Sequence, residues 1–176
     1  MKLIAFTMTA LLAGCLSPPS SREQPRIALT YTAGHGRIDL TATITPASPR
    51  TLTLVGHPDF VRLEVRPRSV ASREYVPGGC ISWLAPTASD LVTATTARPA
   101  VFKATIPYSQ KPDGRLLLGT DSTTYHPPAY LVRGRQLQVD FSYNVDDSQL
   151  PILWKLGLQP IFRQSLQANL PFLLPE

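Results

Sequence analysis

The stretch RQLQVDFSYNV, residues 135–145, alternates apolar and polar residues. Leu137, Val139, Phe141, Tyr143 and Val145 share one parity, and Gln136, Gln138, Asp140, Ser142 and Asn144 the other. Successive side chains of a strand point to opposite faces, so the pattern predicts a strand with one face in the core and the other in water. The period recurs upstream. RIALTYTA (26–33) puts Ile27, Leu29 and Tyr31 on one face. RIDLTATIT (37–45) sets Ile38, Leu40, Ala42 and Ile44 against Asp39, Thr41 and Thr43. FVRLEVR (60–66) alternates Val61, Leu63 and Val65 with Arg62, Glu64 and Arg66. Thr, Val and Tyr suit such half-buried pleated surfaces.

Turn signals separate these runs: AGHG at 33–36, TPASP at 45–49, VPGG at 76–79, KPDG at 111–114 and VRGR at 132–135. The 18 prolines spread along the whole chain argue against long helices. Segment 149–174 is apolar but interrupted by Pro151, Pro160 and Pro171, and is read as strands near 152–158 and 162–174 around a kink. Short alternating strands with regular turns predict an all-β fold, an antiparallel β-sandwich, with a small β-barrel as the alternative. The C-terminal third, QLQVDFSYNV with WKLGLQPIFRQSLQANLPFLL, resembles the last two strands of an immunoglobulin-like sandwich. The Cys–Trp–Cys core of antibody domains is absent: Trp83 and Trp154 have no disulfide pair to pack on.

The N-terminus follows different rules. Lys2 supplies a positive charge, and Leu3 to Gly14 is an uncharged apolar run. A transmembrane helix needs about 20 apolar residues; this run instead fits the core of a secretory signal, with Ala13 and Gly14 as small residues before the cut. LLAGC (11–15) resembles the lipobox of bacterial lipoprotein precursors. The resemblance implies cleavage before Cys15, with lipid (palmitate among the acyl chains) on its sulfur and on the new amino group. Leu16 follows the cysteine; for a Gram-negative source this implies the outer membrane, facing the periplasm. Residues 1–14 are thus a signal peptide. Residues 15–26 are a lipidated start with a Pro- and Ser-rich linker, and residues 27–176 are one sandwich domain of ordinary size.

Loss of Lys2 with the signal lowers the formal charge from +5 to +4. The remaining lysines are Lys103, Lys111 and Lys155, and the arginines are scattered, unlike the clustered basic stripe of a nucleic-acid binder. With Cys15 acylated, Cys80 has no partner within the chain, so it is either a buried, inert thiol or free for an intermolecular bond. A thiol nucleophile at Cys80 would need a histidine base and an orienting third group. His35, His57 and His126 all lie in turn-like contexts and show no HxH or HExxH spacing. They form a metal site, with Asp59, only if their loops share one end of the sandwich. No GxSxG elbow, facing carboxylate pair or Gly-rich phosphate loop occurs.

Residues 121–135, DSTTYHPPAYLVRGR, form the candidate binding loop, with Tyr125, His126, Tyr130, Arg133 and Arg135 among prolines. Tyr and Arg are enriched at binding hot spots, and proline lowers the entropy cost of ordering a loop. The sequence therefore points to a lipid-anchored envelope protein that binds a protein partner or ligand, without metal or cofactor and without catalysis. The alternatives are an inhibitor or immunity-type protein that blocks an enzyme with a loop, or a small metal- or thiol-dependent enzyme using the histidines or Cys80.

The strand at 135–145 yields the first test. Phe141→Ala should cost about 3–5 kcal/mol in chemical denaturation if Phe141 is fully buried. Asp140→Ala should stay within about 0.5 kcal/mol if its face is wet.

Overall fold

The computed structural model describes residues 24–68, 73–76, 86–119, 129–155, 157 and 161–175. The chain forms β1 (Arg26–Gly34), β2 (Arg37–Thr45), β3 (Leu52–Val55), β4 (Val61–Pro67), β5 (Arg73–Val76), β6 (Leu91–Ala94), β7 (Ala100–Gln110), β8 (Leu116–Leu118), β9 (Ala129–Val132) and β10 (Gln136–Tyr143). A short helix, α1 (Leu150–Lys155), and a last strand, β11 (Leu166–Leu173), complete it. A six-stranded antiparallel sheet of order β1-β2-β7-β8-β9-β5 faces a three-stranded sheet of order β11-β10-β4, and β3 pairs with β6. The larger sheet curls, so the molecule is an all-β sandwich with a partly barrel-like wall. β10 and β11, likened in sequence to the last two strands of an immunoglobulin-like sandwich, are antiparallel neighbours. The six-stranded sheet departs from that plan.

The alternation read from sequence becomes the core. Leu137, Val139, Phe141, Tyr143 and Val145 are buried, as are Ile38, Leu40, Ala42 and Ile44. β10 is hydrogen-bonded on both edges, with Phe141 opposite Leu63 on β4 and Ala168 on β11. The Phe141 ring faces Phe102 of β7 at 6.1 Å, and Tyr31 of β1 stacks on Phe172 of β11 at 4.3 Å. These two contacts fix how the sheets overlie one another. The Tyr143 end of β10 lies toward the end where β1 starts at Arg26.

The turns obey local sterics. His35 and Gly36 both have positive φ, +51° and +77°, the requirement of a two-residue type I′ hairpin between β1 and β2. Glycine meets it freely, whereas histidine must be held there. Gly114, at φ +79°, closes the Lys111–Arg115 turn between β7 and β8.

Three segments differ from the sequence reading. The linker, read through Arg26, ends earlier: Pro25 is already buried and Arg26 opens β1. The strand expected near 152–158 is helix over Leu150–Lys155, and the strand expected at 162–174 is shorter, Leu166–Leu173. The Asp146 carboxylate accepts the Ser148 amide at 2.8 Å and starts the turn, and that bond holds its carboxyl below the usual carboxylate range. Pro151 sits in the first helical turn, where an N–H would lack a partner anyway. Leu150 and Leu153, three apart, share one buried side, and Gly157 at φ +71° follows the helix.

Tyr143 ties this insertion to the core. Its hydroxyl donates to the Phe162 carbonyl at 2.8 Å, and burial pushes its pKa up to about 12 against the opposing Val55 backbone contact. A raised tyrosine pKa means that the folded state favours the neutral phenol. This stabilisation is present below the unfolded value near pH 10 and is lost as pH rises through about 12. Spectrophotometric titration should show a tyrosine step well above pH 10, and Tyr143→Phe should remove that late step. A late step that survives the substitution would assign it elsewhere.

Candidate functional site

The polar parity of β10 meets that of β4 on the outer face of the three-stranded sheet. Asp140 lies directly opposite Glu64, and Ser142 opposite Arg62. Glu64 was expected to face water, but it is only 7% exposed. The reason is Arg66, two residues along the same face. Its Nε donates to Glu64 Oε1 at 2.8 Å, its Nη2 also reaches that oxygen, and its Nε lies 3.5 Å from Asp140 Oδ2. Gln138 Nε2 donates to both Asp140 oxygens, at 2.9 and 3.1 Å. One guanidinium thus neutralises two carboxylates that would otherwise repel across the strand pair. Asp140 is therefore a partnered residue rather than a freely solvated one, and the small cost expected for Asp140→Ala rises to about 1–2 kcal/mol.

His35 and His57 do not share one end of the sandwich, the condition that a joint metal site would need. His35 occupies the β1–β2 hairpin tip, at the Pro107 end of β7. His57 follows Gly56, whose Cα side abuts the Phe102 ring near the opposite end of β7. His57 is buried in the turn before β4. Its Nδ1 accepts the Asp59 amide at 3.3 Å and lies 3.4 Å from Asp59 Oδ2, and its ring meets Phe60 edge-on. These contacts shape the turn. His126 and Cys80 lie outside the described residues. Among the described residues, no group of three or more His, Cys, Asp or Glu could hold a metal ion.

Of the candidate binding residues, Tyr125 and His126 lie outside the described residues. Tyr130 is not in a loop: it belongs to β9, its backbone paired with Leu118 on one side and Tyr75 on the other. Arg133 is exposed on the turn from β9 to β10, which carries the chain from one sheet to the other around Gly134 at φ +81°. Arg135 is half-buried; its carbonyl accepts the Leu174 amide at 3.0 Å, and its Nη1 is buried without a hydrogen-bond partner among the described residues. The proposed loop thus resolves into a strand and a sheet-crossing turn on its C-terminal side.

A second feature passed over in the sequence lies on α1. Trp154 is 44% exposed, and the Arg163 guanidinium sits over its ring at 5.6 Å. Lys155 is exposed beside it. The helical spacing that separates Trp154 and Lys155 from buried Leu150 and Leu153 was the available signal. Among the described residues no helix is long and apolar enough to cross a membrane. The chain matches no protein-family model, no curated protein and no solved structure.

The Glu64–Arg66–Asp140 cluster makes a sharp expectation. Arg66→Met strands the Glu64 carboxylate under the sheet face and should cost about 1–2 kcal/mol in denaturant unfolding, a modest figure because Arg66 is itself 40% exposed. Adding Glu64→Leu should recover part of that loss, since removing both partners leaves no uncompensated buried charge. No recovery in the double variant would show that the cost came from lost packing of the arginine stem.

Proposed function

We infer that the protein is a lipid-anchored cell-envelope protein whose sandwich domain works by binding a protein partner. The observation that carries this reading is LLAGC at 11–15, placed after an uncharged apolar run and before a Pro- and Ser-rich stretch that meets the folded domain at Arg26. The chemistry of anchoring supports it. Each acyl CH₂ buried in the bilayer contributes about 0.8 kcal/mol, and more than one chain makes attachment stable. The stretch from Cys15 to Pro25 spans roughly 30 Å when extended, at about 3.1 Å per residue. That reach lets the domain meet either the bilayer or a neighbouring envelope protein. Binding is favoured over catalysis because several of the described ionisable groups are held in structural pairs: Arg66 with Glu64 and Asp140, His57 with Asp59, and Arg115 with Asp113.

Mass spectrometry of the N-terminus provides the test. Chain purified from membranes should begin at Cys15 and carry acyl mass, and Cys15→Ser should yield an unlipidated form that leaves the membrane fraction. An unmodified Cys15 in the membrane fraction would refute the reading.

A further inference from the structure

The end of the sandwich from which the linker departs carries a set of groups that the fold does not require. β1 starts there at Arg26, opposite Thr45 of β2. The connection after β2 and the connection before β7 bring exposed Arg50 and Arg98 to the same end. α1 and segment 161–165 lie beyond the Tyr143 end of β10, which the Phe102–Phe141 and Tyr31–Phe172 contacts place on this side of the molecule. A hydrogen bond confirms the placement. The Phe162 amide donates to the Thr53 carbonyl at 2.7 Å, in the second residue of β3 and so near the connection from β2. Trp154, Lys155 and Arg163 therefore sit at the linker end of the domain.

A tryptophan left 44% exposed at the end of a six-residue helix forgoes part of the burial its ring could gain. Its ring is amphipathic, and Trp is enriched where a protein meets the bilayer interface. Lys155 beside it and Arg163 over its ring add positive charge, which anionic headgroups attract. The carboxylates at this end, Asp59, Asp90, Asp146 and Asp147, are set against the five cations Arg26, Arg50, Arg98, Lys155 and Arg163. We propose that Trp154, Lys155 and Arg163 form a docking patch for an anionic lipid surface, orienting the domain with its linker end against the membrane. The proposal rests on the lipid-anchored reading above, because the roughly 30 Å linker from Cys15 holds this end within reach of headgroups. The three residues add orientation, which the acyl chains alone do not provide.

The test uses the full mature chain in two forms, lipidated and Cys15→Ser, each with Trp83→Phe so that Trp154 is the remaining fluorophore. Each is mixed with phosphatidylcholine vesicles or with vesicles containing one quarter phosphatidylglycerol, including lipids brominated along the acyl chain. Flotation reports anchoring, and Trp154 quenching reports docking. The lipidated chain should float with both vesicle types, and Trp154 should shift to the blue and be quenched with the anionic vesicles. The Cys15→Ser chain should show the same quenching at higher lipid concentration. Lys155→Glu with Arg163→Glu should weaken its vesicle binding about fivefold or more per reversed charge. Flotation with Trp154 unquenched and solvent-like on anionic vesicles would overturn docking while leaving anchoring intact. Failure of the lipidated preparation to float on phosphatidylcholine would overturn anchoring, and the Cys15→Ser titration would still decide docking. Equal quenching by both vesicle types, unchanged by the charge reversals, would overturn the role given to the cations.

Discussion

Strand β10 must bury one face and bond along both edges at the same time. Between β4 and β11 its backbone groups have partners on either side, so its alternation cannot slip by one residue without placing Gln138 and Asp140 in the core and Phe141 in water. Its inward residues lie over the six-stranded sheet through the Phe102 contact, and Tyr143 reaches past the end of the sheet to hold the Phe162 carbonyl. The position of β4, the return of the chain through α1, and the path of β11 all follow from that one strand. The outer face follows too. With Phe141 inward, Asp140 is brought opposite Glu64, and Arg66 becomes necessary to neutralise the pair.

The parts legible in the sequence are those where one physical effect dominates. A period of two over β10 and β2 reports one-sided burial directly, and His-Gly or Asp-Gly between strands reports positive φ. The parts that were not legible depend on partners far away in the chain or on two effects in competition. Glu64 looks solvated until Arg66 and Asp140 are seen on the same face, because register across β4 and β10 is not a local property. α1 escapes the periodic reading because a six-residue helix shows less than two turns, and Pro151, a breaker within a helix, is harmless in its first turn. Tyr130 looks like a loop residue because prolines precede it, yet it lies in a strand whose evidence is pairing with β8 and β5.

The functional proposal has two parts, the second resting on the first. Charge, apolar length and a cysteine in the N-terminal fifteen residues support the proposed lipid attachment. An exposed Trp154 with cations at the end where β1 begins supports the proposed orientation of the domain. The structure also redirects the search for a partner surface away from Tyr130, which is fixed in a sheet, and toward the exposed Arg133 turn and the linker end of the sandwich.

Native-state hydrogen exchange tests the central structural claim most directly. If β10 organises the fold, the amides of Leu137 to Tyr143 that bond to β4 and β11 should exchange only through global unfolding, and their exchange free energies should equal the stability measured in denaturant. Protection in β10 lower than that of the β1–β2 hairpin, or independent of denaturant at low concentration, would contradict the account and move the organising element to the six-stranded sheet.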